Sequence, residues 1–202
     1  MRIRKIGILG GTFNPIHYGH LIIGEQALDE FGLDKVIFMP SGVSYLKRNL
    51  SMPGPEVRYE MTALGIEGNP FFSVSDMEIK RGGNTYTADT IDELNRLMPD
   101  TELMFITGAD ALHEMKKWVE PERIFRGCTV ITSVRDNESP EEVMKDIAFY
   151  KEKYGAKIEL LHTTNIDISS SMIREHVRQK RSIRYYVPEN VRSYILEHSL
   201  YE

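Results

Sequence analysis

Short apolar runs recur along the chain, and each is followed by a stretch with three-to-four-residue apolar spacing. Ile3, Ile6, Ile8 and Leu9 read as a buried strand, and Leu21, Gly24, Leu28 and Phe31 then share one face of a helix. Gly32 stops that helix, and Lys35–Pro40 forms a second buried strand closed by proline. Strand, helix and strand in this order predict a right-handed parallel unit. Further on, Glu56–Leu64 suits a helix burying Val57, Met61 and Leu64. Phe71–Ser75 reads as a strand and Met77–Ile79 as a short extended piece. A helix bearing Ile91, Leu94 and Leu97 precedes a strand at Leu103–Thr107 and a helix at Ala111–Trp118. Cys128–Val134 is a strand, and Ser139-Pro140-Glu141-Glu142 is a capping box. The helix it opens buries Val143, Ile147 and Tyr150 and ends at Gly155. Lys157–Leu161 is the last strand, before a helix capped by Ser169 or Ser170. The pattern predicts an α/β fold, a Rossmann-like doubly wound parallel sheet with helices on both faces, in one domain over residues 1–202.

Composition narrows the function. The 41% apolar and 27% charged residues are values of a globular domain able to bury a full core. A net charge of −5 argues against a broad nucleic-acid surface, so anionic ligands need local basic residues. Cys128 is the single cysteine; it excludes an internal disulfide, fits a reducing cytoplasm and reads as a buried core thiol within an apolar strand. No secretory leader pattern and no membrane-length apolar run is present. The basic run Arg178 to Arg184 reads as a solvated face.

The chemistry concentrates in Gly7–His20. A glycine-rich turn between a strand and a helix cradles phosphate, because Gly10 and Gly11 admit a close anion and the helix start offers free N–H groups. The stretch is neither G-x-G-x-x-G nor a P-loop. It carries two imidazoles, His17 and His20, whose spacing puts both rings on one side of the first helical turn. Packing or capping is the bland alternative for them. Gly108-Ala-Asp110 again ends a strand, where an aspartate caps a helix or holds a ribose hydroxyl. Thr87 or Asp89 can cap the following helix. Trp118, the only tryptophan, is either core or a stacking platform. Arg135 follows a strand end and suits a carboxylate or phosphate. Ser169, Ser170 and Arg174 gather hydroxyls, helix N–H groups and a guanidinium into a second anion site, with an ordinary N-cap as the alternative. Arg58, on its helix, is open between surface and site. Lys47-Arg48, in a loop rich in Ser, Gly and Pro, is either a solvated pair or an arm that meets phosphates.

His17-Tyr18-Gly19-His20 resembles the His-x-Gly-His mark of the nucleotidyltransferase superfamily, and Gly10-Gly-Thr-Phe-Asn-Pro-Ile-His17 with it resembles nicotinate-nucleotide adenylyltransferase. The resemblance runs from Gly7 to Ile195 with its motifs in order. It implies transfer of AMP from ATP to nicotinate mononucleotide, giving deamido-NAD and pyrophosphate by direct in-line attack. It implies His17 and His20 as catalytic groups and Gly10, Gly11, Thr12 and Phe13 as part of the nucleotide site. It places Thr85, Tyr86, Thr87 and Trp118 beside the nicotinate, Lys47 on substrate phosphates, Gly108 and Asp110 on nucleotide, and Ser169, Ser170 and Arg174 on ATP phosphates. Arg135 departs from the family's Arg-Pro-Gly turn, being followed by Asp136-Asn137. Mg2+ is expected to arrive with ATP, since no carboxylate cluster suggests a dedicated site. The expected partners are ATP and nicotinate mononucleotide, with no nucleic acid and no membrane. A homo-oligomer stays open. Rival readings are another adenylyltransferase of the superfamily, acting on nicotinamide mononucleotide or phosphopantetheine, and a non-catalytic nucleotide sensor.

Overall fold

The computed structural model describes residues 4–44, 52–134, 140–163 and 166–202. Eight strands are assigned among them: β1 (Arg4–Gly11), β2 (Lys35–Pro40), β3 (Val43–Ser44), β4 (Phe72–Val74), β5 (Asn84–Thr85), β6 (Thr101–Gly108), β7 (Thr129–Val134) and β8 (Ile158–His162). The helices are α1 (Tyr18–Glu30), α2 (Pro55–Gly65), α3 (Met77–Arg81), α4 (Thr87–Leu97), α5 (Ala109–Glu114), α6 (Pro121–Gly127), α7 (Pro140–Tyr154), α8 (Ser170–Arg178) and α9 (Glu189–Glu197), with a 3-10 turn at Met115–Lys117. Six strands form one sheet in the order β4-β2-β1-β6-β7-β8. Numbered along the chain within that sheet, this is 3-2-1-4-5-6, the order of a dinucleotide-binding sheet that reverses direction between its first and fourth strands. Parallel pairing runs from Arg4↔Thr101 to Leu9↔Ile106 between β1 and β6, and on through β7 to β8. The α/β class expected from the apolar pattern is the one observed.

The chain separates into two compact units, one of Met1–Gly10, Ile23–Ile37 and Tyr86–Asn165, the other of Gly11–Ile22, Phe38–Thr85 and Ile166–Glu202. In the first, Ile6, Ile8, Val36, Phe105, Ile106, Val130 and Ile131 of the strands are buried with Ile91, Leu112, Ile124, Val143, Ile147 and Tyr150 of the helices. Such near-continuous apolar strands are what a parallel sheet covered by helices demands. The buried Tyr150 hydroxyl donates to the Leu112 carbonyl at 2.7 Å, which satisfies it, and burial pushes its pKa up to about 12. Cys128 is the core thiol expected, with desolvation raising its pKa to about 12. In the second unit, Phe13, Ile16, Phe38, Met39, Met61, Phe72, Ile173, Val191 and Ile195 are buried.

Four local expectations are corrected. Met77–Ile79 is helical, within α3, where Glu78 in the first turn and Lys80 and Arg81 in the last complement the helix dipole. Three residues are too few for apolar alternation to distinguish a strand. On α2 the buried positions are Arg58, Met61, Thr62 and Gly65, one step round from the Val57–Met61–Leu64 face. Leu97 is 61% exposed in the last turn of α4, whose buried face ends at Leu94. Neither Thr87 nor Asp89 caps α4; the N-cap is Tyr86 without a side-chain bond, and Asp89 instead pairs with Arg123 at 2.9 Å.

Gly127 ends α6 where no side chain fits. A Cβ there would lie 2.5 Å from Ile91 Cγ2 and 3.0 Å from Asn95 Nδ2, and Asn95 Nδ2 donates to the Gly127 carbonyl at 2.9 Å. Gly127→Ala should therefore destabilise the protein by about 1–3 kcal/mol through overpacking. Thermal unfolding would read this as a fall of several degrees in Tm, and an unchanged Tm would refute it.

Candidate active site

The turn leaving β1 is shaped first by sterics. Phe13 is 2% exposed and has φ 46°, a left-handed conformation uncommon for a bulky residue. Its ring meets His20 edge-on at 5.0 Å and Phe38 at 5.9 Å. A Cβ on Gly11 would lie 3.1 Å from that ring, so Gly11 admits Phe13 into the core. The Phe13 side chain is thereby occupied in packing, and its backbone is what a ligand can meet.

The carbonyl groups of this turn are bonded from several elements. Arg58 Nη1 donates to Thr12 O at 2.7 Å, Arg174 Nη1 to Asn14 O at 2.8 Å, and Ser170 Oγ to Pro15 O at 2.9 Å. The Tyr201 hydroxyl donates to Asn14 Oδ1 at 2.8 Å, and burial raises its pKa. The backbone N–H groups of Phe13 and Asn14 have no acceptor among the described residues. A turn with carbonyls engaged by the protein and donors left over is suited to an anion.

The two imidazoles stand at the head of α1. His17 is 5% exposed, His20 half-buried, and their ring centroids are 3.7 Å apart with planes inclined by 31°. The His17 N–H donates to His20 Nδ1 at 3.3 Å, so the neutral His20 ring carries its proton on Nε2. The carbonyl of His17 accepts from the N–H groups of His20 and Leu21 at 3.0 and 3.3 Å, starting the helix. Gly19 explains the spacing of the pair: a Cβ there would stand 3.0 Å from His17 Nδ1 and 3.1 Å from Cε1. A side chain at this position would crowd the His17 ring where it lies over the first turn and force it to shift.

The hydroxyls of the second predicted anion site have structural duties. Ser169 caps α8 by accepting from Met172 N at 3.2 Å, and Ser170 is held by Pro15. Arg174 uses one donor on Asn14 and keeps the rest of its fork. Thr85, in the two-residue β5 paired with β3, has a buried Oγ1 with no hydrogen-bond partner among the described residues.

In the other unit, Gly108 is the N-cap of α5, without a side-chain cap bond. Asp110 lies in the first turn, exposed, and does not cap the helix. Trp118 follows the 3-10 turn rather than lying on a helix, because α5 ends at Glu114. Its half-buried ring meets Phe105 edge-on at 6.3 Å, and its Nε1 is buried without a partner among the described residues. Tyr86 and Thr87 begin α4. Lys47 and Arg135 lie outside the described residues. No grouping of three or more His, Cys, Asp or Glu suited to a metal occurs among the described residues.

Three residues central to the turn were not singled out by the sequence as its supports: Asn14, Tyr201 and the buried Arg58. For Arg58 a signal existed, since Thr62 and Gly65 are small and fall four and seven residues on, marking the packed stripe of α2. For Tyr201 there was none.

Known proteins share this sequence and fold. Residues 8–176 match the cytidylyltransferase-like family. A relative from Lachnoclostridium phytofermentans, named "Probable nicotinate-nucleotide adenylyltransferase", is 46% identical over 98% of this chain and 100% of its own. One of the same name from Dehalococcoides mccartyi strain CBDB1 is 41% identical over 98% and 97%. The fold is shared with the Plasmodium falciparum nicotinic acid mononucleotide adenylyltransferase solved with NaAD, at TM-score 0.79 and 21% identity over 98% of this chain and 97% of that one. With its imidazole pair behind a glycine-rich turn, and with relatives matched over 98% of its length, the chain belongs to the nicotinate-nucleotide adenylyltransferase family within the cytidylyltransferase-like proteins.

Proposed function

We propose that the protein transfers the adenylyl group of ATP to nicotinate mononucleotide, forming deamido-NAD and pyrophosphate. The observation that carries this reading is the paired His17 and His20 at the head of α1, beside a turn whose Phe13 and Asn14 N–H groups have no acceptor among the described residues. A phosphate oxygen of the mononucleotide attacks the α-phosphorus of ATP. The new P–O bond forms as the bond to the bridging oxygen of the leaving pyrophosphate breaks. The attacking phosphate is already ionised, so the protein supplies no nucleophile; it positions the reactants and stabilises charge.

In this reading His17 and His20 donate to the α- and β-phosphate oxygens as charge develops. Backbone N–H groups after Gly10, that of Phe13 among them, assist in the nucleotide site formed by Gly10, Gly11, Thr12 and Phe13, and Arg174 with the start of α8 at Ser169 and Ser170 receives pyrophosphate. Thr85, Tyr86, Thr87 and Trp118 recognise the nicotinate, Gly108 and Asp110 the nucleotide, and Lys47 and Arg135 the anionic groups. Mg2+ enters as part of the ATP substrate. The single buried thiol suits work in the reducing cytoplasm.

Pyrophosphate release measured with ATP, Mg2+ and either nicotinate mononucleotide, nicotinamide mononucleotide or phosphopantetheine tests the assignment. Release with nicotinate mononucleotide at least tenfold above the others is expected, and silence with it overturns the reading. His20→Ala should lower kcat by about 10²–10³, the scale of losing one transition-state donor; a kcat within twofold of the parent would remove His20 from the mechanism. Gly19→Ala, which alters no donor, should lower kcat roughly 10²-fold by displacing the His17 ring. Unimpaired turnover in that variant would show that the ring position is unimportant.

A further inference from the structure

Arg58 is a buried cation held by backbone carbonyl oxygens. It is 2% exposed on α2, yet no carboxylate lies within ion-pair distance of it among the described residues. Four carbonyl oxygens surround it instead: Thr12 at 2.7 Å, Ser41 at 2.6 Å, Gly42 at 2.9 Å and Pro53 at 3.3 Å. Burial lowers its pKa, against the weaker pull of Tyr201, Glu56 and Glu78. Burying a guanidinium on carbonyl oxygens, with no carboxylate at ion-pair distance among the described residues, is costly, and packing alone does not require it.

One of those carbonyls has a particular neighbour. Thr12 O and the Phe13 N–H belong to the same peptide group, and the Phe13 N–H has no acceptor among the described residues. A cation on the carbonyl end of a planar peptide strengthens its N–H end as a donor. Arg174 cannot act in this way, because the peptide it holds through Asn14 O continues into Pro15, which has no N–H. The remaining Arg58 donors tie the same turn to Ser41 and Gly42, next to β3, which pairs with Thr85 of β5.

We propose that Arg58 is a positioning residue for adenylyl transfer: it fixes and polarises the Thr12–Phe13 peptide toward a substrate phosphate. This rests on the function proposed above. It adds a charge that acts through the backbone rather than by touching substrate.

The test is Arg58→Ala, assayed with 20 mM added guanidinium chloride, urea or sodium chloride. Arg58→Lys and the melting temperature of each variant are measured alongside. Arg58→Ala should lose about 10²-fold in kcat and regain at least about tenfold with guanidinium, while urea, of the same shape but uncharged, and sodium chloride restore less than twofold. Arg58→Lys keeps a charge but not the fork and should remain at least about tenfold impaired. If the alanine variant does not fold, the lysine variant decides. Either variant folded with kcat within threefold of the parent overturns the proposal, as does equal rescue by urea or no rescue at all. Failure of the assigned reaction is seen separately, as a parent that binds ATP without releasing pyrophosphate. In that case the same rescue is read on the Kd for ATP, which Arg58→Ala should weaken about tenfold and guanidinium restore, and an unchanged Kd refutes the role.

Discussion

Backbone carbonyl groups that are spoken for decide the character of the turn after β1. Thr12, Asn14 and Pro15 each give their oxygen to a protein donor, from Arg58, Arg174 and Ser170. A planar peptide cannot point both ends the same way, so the Thr12–Phe13 peptide, held by its oxygen, presents the Phe13 N–H away from Arg58. The buried Phe13 ring holds the turn at a second level, by packing. Donors and ring together fix the turn before any ligand arrives, and on the proposed function such a preorganised anion site owes less ordering entropy on binding.

Three glycines serve this arrangement for different reasons. Gly11 makes room for the Phe13 ring, Gly19 for the His17 ring, and Gly65 for Ile16, whose Cγ2 a Cβ would approach to 2.8 Å. None of the three is needed for a left-handed backbone; the residue with that conformation is Phe13. Close approach of rings and helices, rather than turn flexibility, is the chemistry of these positions.

The sheet was legible because parallel strands covered on both faces must be nearly all apolar, as Val130 and Ile131 or Leu103 to Ile106 are. The imidazole pair was legible because its spacing is local to one helical turn. What could not be read was whatever depended on the far side of a side chain. Arg58 looks like any helical arginine until its burial is known, and Tyr201 like any solvent tyrosine until its hydroxyl is found on Asn14. The serines at 169 and 170 combined both cases. Their capping was visible in the sequence, but the 2.9 Å bond from Ser170 to Pro15 needed the fold. Met77–Ile79 failed differently, since three residues carry too little periodicity to outweigh helix-favouring charges.

The supports of the turn are drawn from far along the chain. Ser170 lies 155 residues from Pro15, Arg174 160 residues from Asn14, and Tyr201 187 residues from Asn14. Loops of this span close slowly and gain their enthalpy only after closure. A nascent chain that has emerged as far as α7 therefore holds the whole Gly-Gly-Thr turn but none of these three bonds. On the role proposed for this turn, one of the first stretches to be synthesised is among the last to be completed, and catalytic competence becomes a late event of folding.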